Sequence, residues 1–198
     1  MLLSNLVAKY PHLPNGLSLL RIGLIVPICL LTAINTPIAV WLAFLLFVIA
    51  ALSDWADGWL ARHYQLQSHL GQILDYTADK LLVVALLLVL TYVHSITAWS
   101  IAAAFLILLR EVAIGGLREF LSKTEINLPS SPLGKQKTVV QFVALGLLIL
   151  GNHGPALAMT RIFGELLLWL AAALTIVSGY EYIRAGWAHL VSSVRHKN

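Results

Sequence analysis

Residues 22–53 read IGLIVPICLLTAINTPIAVWLAFLLFVIAALS, 32 positions without one charged side chain. Crossing the hydrocarbon of a bilayer takes about 20 mostly apolar helical residues. The run is long enough for two passes if something breaks it, and Asn35-Thr36-Pro37 is a turn signal. Two further uncharged runs follow, residues 81–109 (29 positions) and 138–160 (23 positions). His94-Ser95-Ile96-Thr97 divides the first of them, and Gly151-Asn152-His153-Gly154-Pro155 the second. The pattern predicts an all-α integral membrane protein with six transmembrane helices. They fall near 17–34, 38–60, 71–93, 98–117, 137–150 and 156–184, in a single domain spanning residues 1–198.

Composition agrees. Apolar residues make up 59% of the 198 and charged residues 11%, against a usual charged share of about 25% in soluble domains. Disorder, collagen, coiled coil and a disulfide scaffold are excluded, and Cys29 has no second cysteine to pair with. The net charge of +4 does not point to nucleic acid, because no basic stripe with interleaved aromatics is present. Six spans put both termini on one side. That side collects ten Lys and Arg, including Arg62, Arg118, Lys135 and Lys137, while the other has Arg161 alone. By the positive-inside rule the first side is cytoplasmic. Trp41, Trp55, Trp59, Trp99, Trp169 and Trp187 lie near span ends, as an aromatic belt does. Residues 1–13 lack the basic start of a signal peptide. Leu2, Leu3, Leu6, Val7 and Tyr10 recur at helical spacing there, which predicts an amphipathic helix lying in the interface.

Four of the nine acidic residues, Asp54, Asp57, Asp75 and Asp79, fall within 26 positions, where the second span ends and the third begins. A carboxylate at mid-bilayer costs about 2.5–3.5 kcal/mol on insertion scales, so four together need compensation. Asp54 and Asp57 are three apart and Asp75 and Asp79 four apart, so each pair shares a helix face. The loop between lets the two helices run antiparallel, with the pairs facing across one pocket. Arg62 and Lys80 are at hand to pair with some of the acids but cannot neutralise all four. Carboxylate oxygens are hard donors suited to Mg²⁺, Mn²⁺ or Ca²⁺. Four negative charges match two divalent cations, and two-metal sites commonly serve phosphoryl chemistry. Gly58, Ala61 and Gly71 let helices or a ligand come close, and Arg62 is placed to meet a phosphate.

Written as a string, the segment is Asp54-x2-Asp57-Gly58-x2-Ala61-Arg62-x8-Gly71-x3-Asp75-x3-Asp79. It matches every fixed position of the CDP-alcohol phosphotransferase signature, and the chain resembles that membrane enzyme family. Pro14-Asn15-Gly16-Leu17-Ser18-x2-Arg21 is similar to the family's entry into its first helix. Arg110-Glu111, Gly116-Leu117-Arg118-Glu119 and Gly134-Lys135-x-Lys137-Thr138 with Gln141 look like its phosphatidylglycerophosphate-forming branch. Ser18, His63 and Tyr76 depart from the pattern, Tyr76 where Pro is common, and none of them is a ligand position.

The resemblance implies transfer of the phosphatidyl group from CDP-diacylglycerol to glycerol 3-phosphate, giving phosphatidylglycerophosphate and CMP for phospholipid biosynthesis. It also implies a homodimer. Carried over by position, Asp54, Asp57, Asp75 and Asp79 hold two divalent cations, Asp79 is also the general base, and Gly58, Arg62 and Ser68 contact the CDP-alcohol. If the chain is bacterial, it belongs in the inner membrane with this site facing the cytoplasm. Other readings keep the chemistry but change the acceptor to inositol phosphate, serine or phosphatidylglycerol, or replace the enzyme with a divalent-cation transporter. A transporter site usually lies near mid-bilayer between repeats; these acids sit at one end and no repeat is evident.

Charge bookkeeping locates the acceptor. Four aspartates and two divalent ions cancel, while a diphosphate and a phosphate monoester add negative charge that needs further cations. Arg110, Arg118, Lys135 and Lys137 are the candidates, with Arg21 a possible fifth. Lys135→Glu should therefore raise the KM for glycerol 3-phosphate by about tenfold or more, which is about 1.4 kcal/mol of lost binding. An unchanged acceptor KM would remove Lys135 from the pocket.

Overall fold

The computed structural model describes residues 13–63, 69–123, 132–151 and 157–195. These form six helices: α1 (Leu13–Ile34), α2 (Pro37–His63), α3 (His69–Tyr92), α4 (Ile101–Lys123), α5 (Pro132–Leu150) and α6 (Ala158–Arg195). No strand occurs among the described residues. Leu13, read from the sequence as the end of an interfacial helix, opens α1. Pro14 in the first turn explains why, since a proline there sacrifices no intrahelical hydrogen bond. Residues 1–12, which carry the rest of that interfacial reading, lie outside the described residues.

The breaks fall where the turn chemistry puts them. Asn35 (φ 53°) and His94 (φ 57°) take the left-handed conformation that ends a helix. Thr36 caps α2: its hydroxyl accepts from the Ala39 N–H at 3.4 Å, and Pro37 occupies the first helical position. Thr97 does the same for the turn that leads into α4, accepting from the Ser100 N–H. Glu165 of α6 closes that turn from across the bundle. Its carboxylate accepts from the Thr97 N–H (3.2 Å), the Thr97 hydroxyl (2.8 Å) and the Ser100 hydroxyl (2.7 Å).

The helices divide into two halves. In one, α1 packs along α2 and α3; in the other, α6 packs along α5 and α4. The halves meet mainly where α2 lies on α5, and α3 touches α4 and α5 only lightly. At the α2–α5 contact the Phe47 and Phe142 rings stack with centroids 5.7 Å apart. Gly146 leaves room for the Phe44 and Phe47 rings. Gly164 of α6 lies so close to Leu148 of α5 that a Cβ would stand 2.9 Å from the Leu148 side chain. Gly151 likewise faces Arg161. These two contacts fix an antiparallel register of α6 against α5.

The apolar distribution is that of a protein in lipid. Large hydrophobic side chains cover the outside of every helix, including Val26, Leu30, Leu45, Leu88, Phe105, Val112 and Phe163, each more than half exposed. The interior holds Arg21, Glu111, Lys137, Gln141, Thr175 and Ser178 alongside an apolar core of Ile28, Leu82, Leu86, Ile107, Leu145 and Leu168. Exposed apolar area on this scale does not occur on a soluble monomer. Three stretches are long and apolar enough to cross a membrane: Gly16–Ile34, Pro37–Asp54 and Ala158–Arg184. The apolar part of α5, Gln136–Leu150, is too short, and α3 and α4 fall short because of charge. α3 carries Asp75, Asp79 and Lys80, and α4 carries Arg110 and Glu111, inside their own length. The uncharged run at 81–109 straddles the turn between them.

Glu165→Ala removes three hydrogen bonds to a buried turn and should destabilise the bundle by about 2 kcal/mol. A lower midpoint of thermal unfolding in detergent, with helix content unchanged in the cold, is the expected reading.

Candidate active site

Two helices deliver the acidic motif. α2 carries Asp54 and Asp57 in its last turns, and α3 carries Asp75 and Asp79 in its first. Both lie against α1, which supplies a further cation from outside the motif. Arg21 is fully buried, and its Nη1 sits 2.7 Å from Asp54 Oδ1 and 3.0 Å from Asp75 Oδ1. One guanidinium thus bridges one carboxylate from each pair. The facing of the two pairs expected from helical spacing is realised for Asp54 and Asp75, about a residue that the sequence offered only as a possible acceptor contact. Asp79 lies one turn deeper, and its Oδ1 is buried with no hydrogen-bond partner among the described residues. An ionisable oxygen left so in a low-dielectric interior is costly, so this atom has capacity for a proton or a cation. The side chains of Asp57, Gly58 and Arg62 on α2, and Ser68 after it, lie outside the described residues.

No three His, Cys, Asp or Glu side chains form a ready-made metal cluster among the described residues. The donor chemistry still suits a hard divalent cation: the groups in reach are carboxylates, and one oxygen is unpartnered.

A second charged cluster sits on the other half. Glu111 of α4 is buried and takes three cations. Lys137 of α5 and Lys80 of α3 both form close ion pairs with its carboxylate, and Arg110 Nη1 stands 3.4 Å away. Arg110 is itself seated by α6. Its Nη2 donates to Ser178 Oγ at 3.2 Å, its guanidinium lies 5.9 Å from the Tyr182 ring centroid, and Gly179 leaves space for its stem. Gln141 Oε1 and Thr175 Oγ1 are buried on α5 and α6 without hydrogen-bond partners among the described residues.

Of the four bases expected to hold the acceptor, the structure therefore joins Arg110 and Lys137 through Glu111. The side chains of Arg118 on α4 and Lys135 on α5 lie outside the described residues. Lys80, expected to help neutralise the aspartates, forms its close ion pair with Glu111 and still acts electrostatically on Asp79. The parts that sequence reasoning missed were Arg21 as the bridge and Lys80 as a member of the second cluster. Arg21 carried a usable signal: it is three residues after Ser18, so the two polar groups share one face of an otherwise apolar helix, and both are buried.

The chain belongs to the CDP-alcohol phosphatidyltransferase family, whose model matches residues 11–177. Among curated proteins, a Rickettsia bellii protein is 42% identical over 174 residues, covering 88% of this chain and 94% of its own length. A Bacillus subtilis protein is 36% identical, covering 92% of this chain and 98% of its own. One from Yersinia pestis is 35% identical, covering 91% and 97%. All three are called CDP-diacylglycerol–glycerol-3-phosphate 3-phosphatidyltransferase.

Arg21→Gln leaves Asp54 and Asp75 facing each other without their shared cation. It should cost about 2 kcal/mol of stability in chelator, and added Mg²⁺ should raise the thermal midpoint of the variant more than that of the wild type. Equal Mg²⁺ shifts would show that Arg21 and the cation do not neutralise the same carboxylates.

Proposed function

We propose that the protein transfers the phosphatidyl group of CDP-diacylglycerol to glycerol 3-phosphate, releasing CMP, as a step of phospholipid biosynthesis. The observation that carries this reading is the pairing of two sites in one bundle. An aspartate site with an unpartnered buried oxygen on Asp79 lies on one half, and a cluster of cations gathered by Glu111 of the other half, Arg110 and Lys137 from that half and Lys80 reaching across from α3, lies beside it. Names borne by relatives at 35–42% identity over most of their length support the same activity and acceptor.

The residues divide the work. Asp79 accepts the proton of the acceptor's primary hydroxyl. The oxygen freed of it attacks the phosphorus that bears the diacylglycerol; that P–O bond forms as the bond to the CMP phosphate breaks, and CMP leaves. Asp54, Asp57, Asp75 and Asp79 would hold two divalent cations, Mg²⁺ or Mn²⁺, which when bound offset charge developing on the diphosphate. Gly58, Arg62 and Ser68 contact the CDP-alcohol. Arg110 and Lys137, with Arg118 and Lys135, hold the phosphate of the acceptor, and a fixed guanidinium suits a phosphate's paired oxygens. We further read six membrane passes, both termini and the site at the cytoplasmic face, and a homodimer in the inner membrane. The excess of Lys and Arg on one side supports the orientation.

The test is CMP release from CDP-diacylglycerol by the detergent-purified protein, with and without Mg²⁺ or Mn²⁺. Glycerol 3-phosphate, inositol phosphate, serine and phosphatidylglycerol run as alternative acceptors. Metal-dependent release with glycerol 3-phosphate alone is expected, and Asp79→Asn should lower it by about 10²-fold or more, the usual scale for loss of a general base, while still binding the lipid. Release with another acceptor would keep the aspartate site and discard the phosphate pocket. No release from folded protein with any acceptor would point to transport.

A further inference from the structure

The aspartate site lies on one half of the bundle and the second cluster is centred on Glu111 of the other, and those halves touch only lightly where the chemistry lies: α3 has few neighbours on α4 and α5. In-line attack needs the acceptor's hydroxyl held against the donor's phosphorus to within a fraction of an ångström, and small misplacements cost large factors in rate. Something must set the register of α3 against α4 and α5 at that end.

Two contacts do so. Lys80 of α3 pairs with Glu111 of α4, and the Tyr76 hydroxyl of α3 occupies the space where a side chain on Gly115 of α4 would begin. The residues are four apart on each helix and run in opposite senses, so they are successive rungs of one antiparallel contact. Tyr76 also lies beneath Lys80, whose Nζ is 5.4 Å from the ring centroid. Lys80 directly follows Asp79 in the chain. Glu111 holds Lys137 of α5 with the same carboxylate that takes Lys80. The carboxylate therefore joins the helix of the proposed general base to the helix of a proposed acceptor cation.

We infer that Glu111 is a positioning residue: through Lys80 and Lys137 it sets the acceptor-phosphate cations in register with the helix that carries Asp79. A role in stability alone is a poor account of it. Buried ion pairs are often replaceable by apolar side chains at no net cost, because desolvation offsets their attraction. One lysine would satisfy the carboxylate, whereas here cations from three helices meet it. The inference rests on the proposed transfer to glycerol 3-phosphate.

Glu111→Gln keeps the shape and removes the charge. In the full-length detergent-purified enzyme with its divalent cation, the KM for glycerol 3-phosphate should rise by about tenfold or more, while the KM for CDP-diacylglycerol stays within about twofold. Glu111→Asp, which keeps the charge, should recover part of that loss. Lys80→Met cuts the same tie from its more exposed end and should give the same split between the two KM values. It decides the question if Glu111→Gln does not fold. A lower thermal midpoint with both KM values unchanged, or a rise confined to the donor, would overturn the inference while the transfer itself stands. Absence of CMP release from the wild-type protein would instead overturn the functional reading beneath it.

Discussion

Charge inside an apolar bundle has to be neutralised where it stands, and the bundle is arranged around that requirement. Arg21 is fully buried on α1 and lies between Asp54 of α2 and Asp75 of α3. The two carboxylates, 38% and 48% exposed, in turn neutralise a guanidinium that would otherwise be an uncompensated buried charge, which costs several kcal/mol. α1 packs along both of those helices, so the residue that neutralises the acids lies on the helix that assembles them. A helix that otherwise reads as a simple membrane anchor is part of the site.

The same requirement is met differently on the second half. There the cations outnumber the acid, with Glu111 serving Lys80, Arg110 and Lys137. Among the described residues, α6 contributes no charge to this contact. It offers a hydroxyl, an aromatic face and a glycine gap to Arg110, and such neutral contacts fix a guanidinium's direction without neutralising it. The acidic half suits cations and the basic half suits anions, as joining a metal-bound diphosphate to a phosphate-bearing acceptor requires.

Much of this was legible in the sequence, and the limits were physical. Helix breaks could be read because Asn35-Thr36-Pro37 and His94 have local reasons to end a helix, and both Asn35 and His94 do take positive φ. The aspartate pairs could be read because three- and four-residue spacing puts side chains on one helix face whatever the fold. Arg21 and Lys80 could not be assigned, because which carboxylate a cation meets depends on which helices are neighbours, and spacing along one chain says nothing of that. Lys80 adjoins Asp79 in sequence, yet its side chain reaches across to another helix. Glu165 was unreadable for the same reason, since the turn it closes begins 68 residues earlier.

The helices also show where catalytic chemistry is in tension with membrane insertion. α1, α2 and α6 contain windows long and apolar enough to cross, while α3 and α4 do not, and these two supply Asp75, Asp79, Lys80, Arg110 and Glu111. Their apolar segments nonetheless pack inside the bundle, with Leu82, Leu86, Leu90 and Ile107 all fully buried. The arrangement lets Arg21, Glu111 and Lys137 lie buried among apolar helices, because a charge facing the bundle interior finds partners that the hydrocarbon cannot provide. It also ties function to assembly: α3 and α4 keep their charges satisfied only while α1, α5 and α6 supply the partners.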